Sequence, residues 1–210
     1  MRRVSFFLCI SAFSAGAASA VAQEAPEEPK CELHVWSAEK FDDIPLIVGQ
    51  LHFGRGRSDV PQDFESIATP ELQISAVIEA DPVTALGLPP DTKVIPHLTS
   101  EDLNTTNKRK GRREDSSNPC YFELHIRDHK LIQDIVWGDR FLTGFDFRYY
   151  TDNEKWTYRH KGKGGNKLKL FPIEEGTDFE DVEQKIATGI ADNFLEYAKN
   201  AKPRIKRKIS

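Results

Sequence analysis

Six histidines are the first side chains to test for metal or acid–base chemistry: His34, His52, His97, His125, His129 and His160. Only His125 and His129 are close in sequence. They fall across a segment that reads as strand then turn, so their spacing does not set both on one ligating face as it would on a helix. No metal site is expected. Acid–base pairs are suggested by Asp42-Asp43, Glu174-Glu175 and Glu180-Asp181. These sit at turns and helix starts, where negative charge is favourable for structural reasons alone. A Gly-x-Ser-x-Gly nucleophile elbow is absent, and Lys161 to Gly165 lies between strands without the spacing of a phosphate loop. No catalytic residue and no cofactor motif can therefore be named. An enzyme whose site is assembled from scattered residues remains open.

Positive charge is the more informative signal. Lys108, Arg109, Lys110, Arg112 and Arg113 crowd five cations into six positions, Arg159 to Lys169 adds a second basic stretch, and Lys202 to Lys208 a third. Such runs fit anionic lipid headgroups, phosphorylated glycans or an acidic protein. The competing reading is a solvated loop and tail, the usual fate of like-charge blocks.

The compartment narrows the partners. Arg2 and Arg3, an apolar run from Phe6 to Ala18, and small residues at Ala18-Ser19-Ala20 or Ala20-Val21-Ala22 form a secretory signal in the expected order. The apolar run is shorter than the roughly 20 residues that cross a bilayer. Residues 1–22 read as a cleavable signal peptide and 23–30 as an acidic, Pro-containing linker. Loss of Arg2 and Arg3 takes the formal charge from −4 to about −6. The mature chain, about 190 residues, suits one domain with no membrane-spanning segment. A periplasmic or secreted protein follows, for which nucleic acid is an implausible partner. Oligomeric state is not legible. Export also removes Cys9, leaving Cys31 and Cys120 as the one possible intramolecular disulfide in an oxidising compartment.

The elements that must position these residues form one α+β domain over 31–201, with a charged loop at 104–118 and a basic tail at 202–210. Cys31 to Trp36 alternates as a strand, and Ile44 to Phe53 is strand or short helix. Thr69-Pro70-Glu71 opens a helix, interrupted at Asp81-Pro82 and stopped by Gly87. Val94 to Leu98 is β-like, with Pro96 arguing for an edge. Tyr121 to Ile126 is a strand, Arg127-Asp128-His129 a turn, and Lys130 to Trp137 the return strand. Phe141, Thr143, Phe145, Phe147 and Tyr149 share one face of a further strand, as core rather than ligand surface. Lys155 to Phe171 reads as a strand pair divided by a Gly-rich turn at 161–166. Thr177 or Asp178 caps a long helix carrying Phe179, Val182, Ile186, Ile190, Phe194 and Tyr197, ended by Pro203. The expectation is an antiparallel sheet with helices on one face.

This order, a meander at Tyr121 to Phe171 feeding the helix Phe179 to Tyr197, resembles the bacterial envelope fold of the curli-secretion-channel lipoprotein, the TolB amino-terminal domain and the penicillin-binding-protein activators. The likeness is one of topology, and the lipid-attachment cysteine of those lipoproteins has no counterpart after this signal. The opening Cys-Glu-Leu-His-Val-Trp strand also resembles uncharacterised exported proteins of alphaproteobacteria. The first resemblance implies a binding or assembly accessory of the envelope, partnered with an envelope protein or an anionic envelope surface.

Overall fold

The computed structural model describes residues 31–39, 41–48, 51–52, 67–134, 140–166 and 178–209. The expected signal peptide at 1–22, the expected acidic linker at 23–30 and the segments around Gly54 and Phe171 lie outside them. One mixed sheet carries seven strands: β1 (Cys31–Trp36), β2 (Phe41–Val48), β3 (Leu51–His52), β4 (Thr92–His97), β5 (Tyr121–Asp134), β6 (Arg140–Tyr150) and β7 (Tyr158–Asn166). Among the described residues four helices accompany it: α1 (Pro70–Glu79), α2 (Pro82–Leu86), α3 (Leu103–Lys108) and α4 (Phe179–Ile209). The chain is α+β, with the long C-terminal helix expected.

β5 organises the sheet. Its first half pairs in parallel with β1 and its second half in parallel with β2, while its other edge pairs antiparallel with β6, which in turn pairs antiparallel with β7. β1 also pairs in parallel with β4. The antiparallel order read from the sequence thus holds for β5 to β7, and β1 and β4 enter in parallel because a helical crossover separates them.

Arg127-Asp128-His129 does not turn the chain. β5 runs through it with a bulge between Ile126 and Asp128. The extra residue, Arg127, flips the side-chain parity: Phe122, Leu124 and Ile126 face the core before it, and His129 and Leu131 after it. A reversal of the apolar phase looks like a turn in one dimension. The Gly-rich segment is likewise strand, not turn. A Cβ at Gly164 would lie 1.7 Å from the Asn193 carbonyl oxygen, and one at Gly162 would lie 2.9 Å from the Tyr197 ring, so these glycines let α4 lie directly on β7.

α1, α2 and α4 pack over one sheet face. Thr69 Oγ1 accepts from Leu72 N–H at 3.3 Å with Pro70 in the first turn, and Gly87 closes α2 at φ 72°. On α4, Val182, Ile186, Ile190, Phe194, Tyr197, Ala201 and Ile205 are buried against Phe141, Phe145, Phe147, Leu33 and Phe122 in one core. Pro203 does not end this helix, and the basic tail expected at 202–210 is helix through Ile209, the last described residue. Burial of Ala201 and Ile205 on either side of Pro203, and a Lys202 Nζ bond to the Thr84 carbonyl at 2.8 Å, outweigh the missing helix bond. No helix among the described residues is long and apolar enough to cross a membrane.

Candidate functional site on the outer sheet face

The side chains opposite the helices alternate with the core-facing ones along β1, β5 and β6. In the structure most are buried. Glu123, His125, Asp146, Arg148 and Tyr150 are at or below 2% exposure, and Trp36 and Tyr121 at 0%. Their cover is the segment 98–119 that carries α3. Its part 104–118 reads in sequence as a charged loop, and it is ordered because its arginines are spent on the protein. Arg112 donates to the carbonyls of Ser116 (2.8 Å), Asn118 (2.9 Å) and Asp152 (3.2 Å) and lies over the Tyr121 ring. Arg113 donates to the Thr99 carbonyl and lies 5.0 Å from the Trp36 ring centroid. Arg109 pairs with Glu101. Lys108 and Lys110 stay exposed. Of the five cations expected to read an anion together, the three arginines hold the roof down and the two lysines face out.

Under the roof, two carboxylates sit among cations and hydroxyls. Glu123 accepts from the Arg113 backbone N–H (2.7 Å), from Tyr150 Oη (3.0 Å) and from Tyr121 Oη (3.3 Å), with His125 Nε2 at 2.9 Å and Arg148 at 3.7 Å. Burial pushes its carboxyl up, but the His125 bond, the Arg113 N–H and the Arg148 charge hold it below the ordinary value. Asp146 accepts from Arg148 at 3.0 Å and from Arg159 Nε at 2.9 Å, and these arginines likewise overcome burial to keep it ionised. Each buried charge is therefore paired, as low-dielectric surroundings demand.

Beside the carboxylates runs an aromatic row across three strands. Trp36 on β1 stacks on His97 of β4 (4.5 Å, 10°) and on His125 of β5 (4.7 Å, 10°), and these are its register partners. His34 Nδ1 lies 2.8 Å from His97 Nε2. That bond needs one donor and one acceptor, so both rings cannot be charged at once. Burial holds His34, His97 and His125 below the usual histidine value. Among the described residues no set of three His, Cys, Asp or Glu side chains is arranged to hold a metal ion.

Beyond the roof the outer face opens. On β6, Gly144 has no side chain, and Arg127 and Lys130 of β5 and Lys161 and Lys163 of β7 rise on either side of it. With Asp128, Leu142 and Gly162 they enclose a groove of about 330 Å³. Asp128 leans over the Gly144 Cα and pairs with Lys130 at 3.3 Å. Lys161 Nζ donates to Asn107 of α3, the neighbour of Lys108, so the groove abuts the roof. The sequence singled out Lys161 and Lys163 only as part of a basic stretch. The phase change at Arg127, which puts Lys130 on their face, was the missing signal.

Cys31 and Cys120 meet where β1 and β5 begin, with Sγ atoms 2.09 Å apart and Cα atoms 4.5 Å apart. The Glu32 N–H donates to the Cys120 carbonyl at 2.9 Å alongside.

Neither a protein-family model nor a curated protein matches the chain. Among solved structures, a hypothetical protein of Chlamydia trachomatis is similar at 9% identity and a TM-score of 0.37, over 82% of this chain and 98% of that one.

Proposed function

We propose that this chain is an exported protein of the cell envelope that works by binding, as an accessory to an envelope protein or an anionic envelope surface. The observation that carries the reading is the division of the outer sheet face. Its roofed half consumes its charges internally, whereas its open half leaves cations in solvent beside a groove. Fixed positive charge around a concave site recruits anions and raises their encounter rate. Export is supported by the signal-like residues 1–22 and by the proximity of Cys31 and Cys120, a pairing that persists in oxidising compartments.

The test is photocrosslinking in the native envelope from a probe placed at Leu142, in the groove, and from one at Lys199, on the exposed side of α4. Discrete adducts from position 142 and none from 199 are expected. Adducts from neither, together with turnover in a screen of envelope substrates, would replace a binder with an enzyme.

A further inference from the structure

We infer that the groove between β5 and β7 is a binding site for a phosphate group, free or as a monoester or lipid headgroup. The inference deepens the binding reading and rests on it for its biological setting. The chemistry follows from the strand register. Lys163 stands opposite Gly144 and Lys161 opposite Asp146 on one side of β6, while Lys130 stands opposite Leu142 on the other. Neighbouring strands are about 4.8 Å apart, so cations on the two flanking strands straddle a gap of about 10 Å, with Gly144, Leu142 and the Asp128 carboxylate that leans over Gly144 between them. Among the described lining residues four cations stand with one carboxylate, Asp128, which Lys130 engages. Among the described residues neither Arg127 nor Lys163 has an ion pair, and the buried Nε of Arg127 has no acceptor. Lys161 is held below the ordinary lysine value by burial and by the charges of Arg159, Arg127 and Arg148. An anion in the groove would relieve that repulsion.

The arrangement favours phosphate over carboxylate. A planar carboxylate can be satisfied by the fork of a single guanidinium, and Arg159 reaches both oxygens of Asp146 in this way. Cations converging from two walls suit a tetrahedral group carrying close to two charges and several acceptor oxygens. At the floor, Gly144 leaves room for the Asp128 carboxylate, whose charge Lys130 offsets at 3.3 Å.

The experiment uses the mature full-length chain, with its backbone amides followed by NMR. Inorganic phosphate, glycerol 1-phosphate and phosphatidylglycerol vesicles are titrated in turn, with sodium chloride matched for ionic strength. Saturable shifts centred on Gly144 and Gly162 are expected, weakened about tenfold or more by K161S/K163S through loss of two charge-assisted contacts. The charge-matched pair K185S/K199S on α4 should leave them unchanged. A response to vesicles alone would make the source a lipid headgroup, and a response to phosphate or the monoester a soluble ligand; either supports the site. No saturable shift with any probe, an equal response to chloride, or undiminished binding by a folded K161S/K163S protein would overturn it. Crosslinks at position 142 that persist after such a failure would leave the binding reading standing without its phosphate.

Discussion

Arg148 is the side chain on which most of the outer face depends. It is fully buried, it bonds Asp146, it lies near Glu123, and it donates to the Thr106 carbonyl of the roof. Arg148→Met would leave two buried carboxylates without their shared cation. Loss of one partner of a buried charge set costs about 3–5 kcal/mol, and that is the drop expected in urea unfolding. A loss under 1 kcal/mol would mean that Arg159 alone sustains both carboxylates. The two kinds of roof cation should part company. R112S and R113S should each lower the melting temperature, since each removes a ring contact and carbonyl bonds, whereas K108S/K110S should leave it unchanged and alter only salt-sensitive binding. The histidines set a pH dependence. His34, His97, His125 and His129 all have folded values below the ordinary one of about 6.5, His129 pushed down to about 3 by burial. Groups depressed in this way contribute stability that is present above about pH 6.5 and lost as pH falls through their folded values, because the unfolded chain takes up protons first. The urea midpoint should therefore hold between pH 8 and about pH 7 and fall from there to pH 5. A flat or rising midpoint would mean that the row is already charged when folded.

At the level of elements, the contact of β7 with α4 gives a sharp test. Gly164→Ala forces a methyl group into the Asn193 backbone, and Gly165→Ala meets only the movable end of Leu142 at 2.3 Å. The first substitution should cost roughly 3 kcal/mol, the upper end for overpacking, and the second should cost clearly less. Equal costs would place the close approach elsewhere. The same elements explain what was legible beforehand. Thr69, Pro70 and Gly87 act through local chemistry, and α1 and α2 start and stop where those residues direct. The core stripe of β6 and the face of α4 followed from period alone, with Phe141, Phe145, Phe147, Ile186 and Phe194 all buried. What failed was tertiary in cause. Glycines 162 and 164 serve a helix that packs on them from 30 residues away, Pro203 is tolerated because Ala201 and Ile205 are buried, and the bulge at Arg127 mimics a turn. The roofed cluster was missed because polar residues alternating with apolar ones look solvent-facing. Trp36, Tyr121 and Tyr150 at the outer positions were the sign that something covers them.

For the molecule as a whole, the Cys31–Cys120 link closes a sequence separation of 89 residues around β2, β3, β4 and the helices α1 to α3. Constraint of so long a loop is worth about 4–5 kcal/mol in the chain-entropy account, a large share of the 5–15 kcal/mol that holds a typical domain. Cys31→Ala with Cys120→Ala should therefore lower the melting temperature by many degrees, as reductant should for the parent protein; no change under either condition would remove the link from the energetics. The binding reading needs the chain outside the cytoplasm, and one measurement addresses that directly. It is the intact mass of the protein from fractionated cells, alkylated under denaturing, non-reducing conditions. A periplasmic or secreted species that begins at Gln23 or Val21 and carries no alkyl group on Cys31 or Cys120 is expected. A cytoplasmic species that retains residues 1–22, with both cysteines alkylated, would contradict that reading.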